Sequence, residues 1–258
     1  MTMQFENIHL KDLTDIAYRA GIAILKIYKN DFKIEYKNDN SPLTEADTKS
    51  NKIICESLAN LYPDIPIMSE ENKMIPYKIR QNWEYYWCID PIDGTKEFIK
   101  GNGEFTINIA LIYNSVPVLG VVYAPVLDAM YSAKKTIGAF LNGERLPLKH
   151  NNRVKGETIV VASKSHLSTE TQDFIDNIDS KNIIQVSKGS SLKLCMVAEG
   201  NADIYPRLAP TMEWDTAAAD AIVRCSGKIT YQFENNKPLE YNKENLLNPW
   251  FVVRSKIV

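Results

Sequence analysis

The sequence has little of what several common kinds of site require. Its four cysteines are scattered through 258 residues and none forms a CxxC pair, so a structural zinc site is not indicated. Its three histidines accompany no serine or cysteine nucleophile motif, which argues against a hydrolytic triad. Internal repeats and low-complexity tracts are also missing. The chain is therefore expected to be an ordinary globular protein whose chemistry depends on other residue types.

Long apolar runs and an excess of one charge are missing too. The longest apolar region, residues 107–127, is interrupted by three polar residues and two prolines, so no membrane span is predicted. The net charge of −2 offers no positive surface for a nucleic-acid polymer. The start MTMQFENIHLKDL lacks the basic and apolar regions of a signal peptide. We expect a cytoplasmic protein, and peripheral attachment to the inner membrane face is left open.

The first half of the chain is predicted to be helices packed on an antiparallel sheet. Apolar residues spaced three and four apart predict a helix over about residues 9–29 and a second over about residues 45–61, with Thr44 as its N-cap. The strand-like runs that follow are IPIMSEE, 85–90, 104–113, 116–123, 129–133 and 138–141. Asn114-Ser115 and an Asn-Gly pair in LNGERL predict tight turns between strands.

The second half alternates strand and helix. Its predicted elements are a strand at 157–163, a helix at 168–178 opened by Ser168, the strand NIIQVS, the helix SSLKLCMVAEG, the strand ADIYPR and a helix that begins at Asp215. This alternation predicts an α/β lobe. The fold class is therefore α/β with two lobes, residues 1–150 and 151–258, which divide at the polar segment KHNNRVKGE.

Four acidic residues fall at predicted strand ends and at a helix start. Glu70 follows IPIMS, Asp90 and Asp93 of DPIDGT follow YYWCI, and Asp215 opens a helix. Ligands of open α/β sheets usually bind where such ends meet. Two carboxylates about 4 Å apart disfavour each other by roughly 4 kcal/mol at an effective dielectric near 20, so a cation is expected between them. Taken singly, each pattern is more typical of a surface turn, a solvated acidic pair or a helix cap, and only their joint arrangement favours a chemical site.

The other donors in this segment are oxygens as well. The Ile92 carbonyl and the Thr95 hydroxyl join the carboxylates, and ligation by oxygen alone selects Mg²⁺ or Mn²⁺ over zinc. Pro91 and Gly94 are predicted turn residues that fold the loop so that both aspartates face one site. Two such ions can activate a water and neutralise the leaving oxygen of a phosphate ester. The residues therefore indicate a metal-dependent phosphoryl chemistry.

Three motifs together resemble the magnesium-dependent, lithium-sensitive phosphatases of the inositol monophosphatase superfamily: SEEN at 69–72, DPIDGT at 90–95 and WDTAAADAI at 214–222. The resemblance runs from NSPLTEAD near residue 40 to LNPWF near 250. KEFIKGNGEFT and GSSLKLCMVAEGNADIYPR are most similar to its 3'(2'),5'-bisphosphate nucleotidase branch. This resemblance implies a layered αβαβα sandwich. It also implies hydrolysis of the 3'-phosphate of 3'-phosphoadenosine 5'-phosphate to AMP and phosphate, which removes a by-product of sulfur assimilation.

The resemblance implies a set of ligands for two or three Mg²⁺ ions: Glu70, Asp90, Ile92 through its carbonyl, Asp93 and Asp215. Spacing leaves open whether Glu70 or Glu71 is the ligand, and we expect Glu70. Asp47 of TEAD is expected to pair with the Thr95 hydroxyl and to orient the attacking water. Asp47, Glu70 and Thr95 are therefore the implied catalytic residues.

The implied substrate is a small phosphorylated nucleotide. Its expected contacts are Glu70, Ile92, Asp93, Gly94, Thr95, Ser190, Ser191, Lys193, Arg207 and Asp215. Lys193 and Arg207 are expected to hold the second, non-reacting phosphate, since the Arg207 guanidinium has the fork geometry that suits phosphate, although both are also typical surface residues. Two alternatives stay open. One is a phosphatase of inositol phosphates or fructose bisphosphate, and the other is a non-catalytic nucleotide sensor. The sequence does not predict the oligomeric state.

Overall fold

The computed structural model describes residues 7–30, 34–36, 42–149, 156–163 and 168–256. The helices are α1 (Leu10–Tyr28), α2 (Glu45–Leu61), α3 (Tyr77–Arg80), α4 (Thr95–Ile99), α5 (Thr169–Asp176), α6 (Leu192–Glu199) and α7 (Glu213–Cys225). The strands are β1 (Ile34–Tyr36), β2 (Pro42–Thr44), β3 (Ile67–Ser69), β4 (Tyr85–Asp93), β5 (Thr106–Tyr113), β6 (Val116–Ala124), β7 (Ala129–Lys134), β8 (Gly138–Leu141), β9 (Glu144–Arg145), β10 (Glu157–Ser163), β11 (Asn182–Lys188), β12 (Tyr205–Arg207), β13 (Lys228–Gln232) and β14 (Phe251–Ser255). Most of KHNNRVKGE lies outside the described residues, and the division into two lobes stays a prediction.

A seven-stranded sheet in the order β3-β4-β5-β6-β7-β8-β9 forms the centre of the fold. Strands β3 and β4 pair in parallel and the other neighbours pair antiparallel, which confirms most of the predicted sheet. Asn114 and Ser115 join β5 to β6 with positive φ angles of 46° and 62°. Both predicted tight turns are confirmed, because Asn142 and Gly143 join β8 to β9 in the same way.

Alternate residues of the central strands face two different cores. Odd-numbered residues such as Trp87 and Ile89 pack with α1 and α2, whereas even-numbered residues such as Tyr86 and Cys88 pack with α6 and α7. Helix α7 lies very close to β6, since a side-chain carbon on Gly120 would come within 2.2 Å of the Ala218 carbonyl oxygen. Small residues along α7 therefore let a helix from the second half pack directly on the sheet of the first half.

The second half adds two smaller sheets beyond α6 and α7. Strands β10 and β11 pair in parallel, and β12, β14 and β13 form an antiparallel sheet. Helix α5 covers the outer side, where Ile175 packs with Val160 and Ala162. The predicted α/β alternation and the layered αβαβα arrangement are confirmed. No helix in the part of the chain that the structure describes has the length and apolar character needed to cross a membrane.

Candidate active site

A β-bulge turns Asp90 and Asp93 toward the same side of the sheet. On β5, Asn108 faces Asp90 and Thr106 faces Asp93, so three steps along β4 match two steps along β5. The extra residue reverses the alternation, because Ile92 packs in the core that otherwise receives odd-numbered residues. The prediction that Pro91 is a turn residue is wrong, since it lies inside β4. The bulge supplies the bend instead.

Gly94 is the turn residue that ends this strand. Its φ of 94° is left-handed, which glycine adopts at little cost, and α4 begins at the next residue, Thr95. A side-chain carbon at Gly94 would lie 3.3 Å from Cβ of Ser190. The loop after β4 and the loop before α6 are therefore in direct contact.

Asp47 reaches the site through the N-terminus of α2. Its Oδ2 accepts hydrogen bonds from the Thr44 backbone N–H at 2.8 Å and from the Thr44 hydroxyl at 2.6 Å, which forms a capping arrangement around the predicted N-cap. Its Oδ1 accepts a hydrogen bond from the Thr95 hydroxyl at 3.3 Å. The Ile92 carbonyl oxygen lies 3.4 Å from the same hydroxyl. The predicted pairing of Asp47 with Thr95 is confirmed.

Glu70, Asp90 and Asp215 converge, each from a different element. Carboxylate oxygens of the three side chains lie within 4.8 Å of one another. The parallel pairing of β3 with β4 places Glu70 beside Asp90, and the Glu70 N–H donates to the Ile89 carbonyl at 3.1 Å. Of the two glutamates that the sequence left open, Glu70 belongs to this group.

Asp215 lies in the first turn of α7 and is not its first residue. The predicted start at Asp215 is wrong by two residues, because α7 begins at Glu213. Asp215 instead occupies the third helical position, where its Oδ2 accepts a hydrogen bond from the Met212 N–H at 2.8 Å. This contact holds the Asp215 carboxylate in the group with Glu70 and Asp90.

Asp90 is buried and Glu70 and Asp215 are half-buried, so three negative charges lie close together with little water between them. Burial and then the negative charges of Glu70, Asp93 and Asp215 raise the pKa of Asp90 well above its usual range. Burial and then the charge of Asp93 raise the pKa of Asp215 to about 8. This set of mutually repelling oxygen donors fits a hard divalent cation such as Mg²⁺.

Ser191 positions Asp93. The Asp93 Oδ2 accepts hydrogen bonds from the Ser191 N–H at 2.5 Å and from its hydroxyl at 2.6 Å. The Ser191 oxygen in turn accepts a hydrogen bond from the Asn108 amide at 2.7 Å. Ser191 is buried and is not among the residues that line the cavity, so the geometry does not support its predicted contact with the nucleotide. Its N–H and hydroxyl are already committed to the Asp93 carboxylate and the Asp215 carbonyl.

Carboxylates and cations line the same cavity of about 230 Å³. The acids Glu70, Asp93 and Asp215 come from the turn after β3, the end of β4 and α7, and Lys193 and Arg207 come from α6 and β12. The cavity is also lined by the predicted Gly94, Thr95 and Ser190. The residues that sequence reasoning missed are Pro42, Lys96, Glu97, Ser163, Gly189, Leu194, Tyr205, Thr211, Thr216 and Phe251. Acidic and basic side chains therefore face the same cavity.

Ser190, Lys193 and Arg207 form a cationic corner of the cavity, with hydrogen-bond donors that can meet an anion. Lys193 is only 6% exposed, which excludes its interpretation as a surface residue, and its ammonium donates to the Ser190 carbonyl at 2.6 Å. Burial lowers the pKa of Lys193 to about 8, against the opposing charge of Asp93. The Ser190 hydroxyl and the Arg207 Nε are buried without a hydrogen-bond partner among the described residues. These groups can donate to a phosphate.

Two further acids beside Asp215 have structural partners. The Glu213 Oε1 accepts from the Lys243 ammonium at 2.6 Å, and the Asp220 carboxylate accepts from Arg224 Nε at 2.9 Å. Asp220 also forms an ion pair with the second guanidinium nitrogen of Arg224 at 2.8 Å, so its charge is already paired.

The fold and the site define an α/β sandwich protein with a carboxylate metal site and a neighbouring anion-binding corner. The sequence matches the model of the inositol monophosphatase family over residues 9–251. The chain belongs to this family.

Several relatives carry a more specific name. The 3'(2'),5'-bisphosphate nucleotidase CysQ of Escherichia coli K12 is 42% identical over 95% of this chain and 98% of its own. The enzyme of the same name from Salmonella typhimurium is 43% identical with the same coverage. The crystal structure of CysQ from Bacteroides thetaiotaomicron is 45% identical, with a TM-score of 0.86 over 96% of this chain and 98% of that one. A Thermotoga maritima inositol monophosphatase superposes with a TM-score of 0.76 at 26% identity, over 95% and 91% of the two chains.

Proposed function

We propose that the protein hydrolyses the 3'-phosphate of 3'-phosphoadenosine 5'-phosphate to AMP and phosphate in a Mg²⁺-dependent reaction. The relatives named 3'(2'),5'-bisphosphate nucleotidase CysQ, which match almost end to end, support this activity. The observation that carries it is a single cavity lined by Glu70 and Asp215 and also by Lys193 and Arg207. A substrate with two phosphates suits this arrangement, since one phosphate meets the metal site and the other meets the cations. The reaction removes a by-product of sulfur assimilation.

The metal ligands in this proposal come from the turn after β3, the end of β4 and the first turn of α7. They are Glu70, Asp90, Asp93 and Asp215 through carboxylates and Ile92 through its carbonyl, for two or three ions. Bound Mg²⁺ supplies a water of lowered pKa and neutralises charge on the leaving oxygen. Ser191 fixes one oxygen of Asp93 with two hydrogen bonds, which leaves the other carboxylate oxygen available for a ligand role.

Asp47 and Thr95 are proposed to handle the proton of the attacking water. The Thr95 hydroxyl donates to the Asp47 carboxylate, so its lone pairs can accept a hydrogen bond from a water in the cavity. As the water oxygen bonds to phosphorus, its proton passes to the Thr95 oxygen while the Thr95 proton passes to Asp47. The bond from phosphorus to the ribose 3' oxygen breaks, and this oxygen takes a proton from water to leave as the 3'-hydroxyl of AMP. The backbone N–H groups of Gly94 and Thr95 are proposed to contact the scissile phosphate.

A substrate panel tests the proposal. Phosphate release should be measured with 3'-phosphoadenosine 5'-phosphate, inositol 1-phosphate and fructose 1,6-bisphosphate, each with Mg²⁺ and with EDTA. We expect the highest kcat/KM for the nucleotide and no turnover in EDTA. A clear preference for inositol 1-phosphate or fructose 1,6-bisphosphate would reassign the substrate within the family. Tight nucleotide binding without turnover in Mg²⁺ would instead indicate a sensor.

A further inference from the structure

The short loop between β11 and α6 holds a strained residue at the cationic corner. Ser190 has a φ of 47°, a left-handed conformation that residues with a side chain rarely adopt and that neighbouring contacts must maintain. The Ser190 carbonyl accepts the hydrogen bond of the Lys193 ammonium. The conformation of Ser190 therefore sets the direction of the carbonyl that holds the Lys193 ammonium.

Hydrogen bonds to the backbone N–H groups of the residues after and before Ser190 hold it in this conformation. After Ser190, the Ser191 N–H is held by Asp93. Before Ser190, the Gly189 N–H donates to Oε2 of Glu104 at 2.9 Å, and Oε1 of Glu104 pairs with the Lys188 ammonium at 3.1 Å. The carboxylates of Asp93 and Glu104, both in the first half of the chain, therefore hold the backbone on either side of Ser190.

Gly189 packs tightly against Glu104 as well as donating a hydrogen bond to it. A side-chain carbon on Gly189 would lie 2.8 Å from the Glu104 carbonyl oxygen and 2.9 Å from Cγ of Glu97, so the loop backbone packs directly on the segment that enters β5. The Glu104 side chain is only 17% exposed. Glu104 is not among the residues that line the cavity, so its effect on a ligand must pass through Gly189 and Ser190.

We propose that Glu104 is a positioning residue that sets the specificity of the site for the second, non-reacting phosphate of the substrate. It acts by holding the Gly189 N–H, and so fixes the Ser190 carbonyl and the Lys193 ammonium that this carbonyl orients. This inference rests on the proposed function, because the second phosphate is the group that Lys193 is proposed to meet. Removal of Glu104 should leave the Glu70, Asp90 and Asp215 cluster in place.

Glu104→Ala tests the inference with two substrates. A hydrogen bond to a charged acceptor typically supports a change of about tenfold or more, so the KM for 3'-phosphoadenosine 5'-phosphate should rise about tenfold. The KM for adenosine 3'-phosphate, which lacks the second phosphate, should stay within about twofold, and kcat should change little for either substrate. A matching rise of KM for both substrates, or a matching loss of kcat, would overturn the inference.

Two matched variants separate the Gly189 hydrogen bond from the ion pair. Glu104→Gln keeps an oxygen acceptor for the Gly189 N–H but loses the charge that pairs with Lys188, and Lys188→Met loses the same ion pair from its other side. Because a partly exposed ion pair contributes little, both variants should stay within about fivefold of the wild type. If Lys188→Met matches Glu104→Ala, the ion pair and not the loop clamp is responsible, and the inference fails.

Equilibrium binding of AMP, which carries only the second phosphate, tests the inference without turnover. Calorimetry should show about tenfold weaker AMP binding by Glu104→Ala than by the wild type. A wild type that binds AMP in this way but does not hydrolyse the bisphosphate would refute the proposed function and support the role of Glu104. Equal AMP binding by the two proteins, or none by either, would overturn the role of Glu104.

Discussion

Replacement of Asp215 by Asn is expected to stabilise the metal-free protein while it abolishes activity. Burial and the charges of Asp93 and Glu70 raise the pKa of Asp215 from 3.8 to about 8. The folded state therefore holds this proton more tightly than the unfolded state, and stability falls as the pH rises from 3.8 through about 8. At pH 7 this pKa shift lowers the free energy of unfolding of the metal-free protein by about 4 kcal/mol. Screening by water in the cavity reduces this loss to about 2–4 kcal/mol.

Asn is a close test of this charge because it keeps the local hydrogen bond. Its side-chain oxygen can still accept from the Met212 N–H, but it cannot ionise. Urea unfolding followed by circular dichroism in EDTA should show a gain of about 2–4 kcal/mol at pH 7 and less than half of that at pH 5. Saturating Mg²⁺ should stabilise the wild type, by about 2.7 kcal/mol at a hundredfold excess over Kd, and should stabilise Asp215→Asn much less.

Asp220→Asn is the matched control on the same helix. The Asp220 carboxylate accepts hydrogen bonds from Arg224 at 2.9 Å and from the Tyr241 hydroxyl at 3.0 Å. Its neutralisation removes the charge that pairs with the half-buried Arg224 guanidinium, which keeps only the Leu239 carbonyl, so a loss of about 1–3 kcal/mol is expected. The reasoning is refuted if Asp215→Asn is less stable than the wild type in EDTA at pH 7, or if its gain does not shrink at pH 5.

Two further predictions concern the metal site. Ser191→Ala should weaken Mg²⁺ binding in calorimetry and lower kcat about tenfold or more, because Asp93 loses one hydrogen bond and the Asn108 amide loses its acceptor; unchanged Mg²⁺ affinity would contradict the positioning role of Ser191. Millimolar lithium should inhibit phosphate release, since a small monovalent ion can occupy oxygen ligands without supplying the second charge. Full activity in lithium at low Mg²⁺ would count against this metal site.

Local patterns predicted the helices and most central strands because those signals lie within a few residues. The apolar stripe of α1 and the Thr44 cap of α2 are examples, and both are confirmed. The short elements α3, α4, β1, β2 and β9 and the strands β13 and β14 were missed. Strand β14 pairs with β12 and β13 across long stretches of sequence, so nothing in its own five residues identifies its partners. Short segments of this kind depend on tertiary pairing.

The bulge in β4 and the roles of polar residues beside the site also escaped local reasoning. Asn108 is a polar residue in an otherwise apolar strand, and its even number places it on the side of the sheet that faces α6 and α7. These two signals could have identified Asn108 as a residue beside the site. The sequence does not reveal that Ser191 points at Asp93 and not into the cavity. It also does not reveal that Glu104 holds Gly189, because these contacts join segments more than eighty residues apart.

The sequence alone determined which chemical groups this protein offers to a ligand: carboxylate oxygens at Glu70, Asp90 and Asp215, and two cations further along the chain. Chemical identity is a property of each residue, so the choice of a hard cation and of a phosphate ligand followed without coordinates. Tertiary structure decided which of these groups share a cavity, which oxygen of Asp93 is already hydrogen-bonded, and how far burial raises the pKa of Asp215. Distance, burial and hydrogen-bond direction belong to the packed chain, since each depends on residues that are remote in sequence.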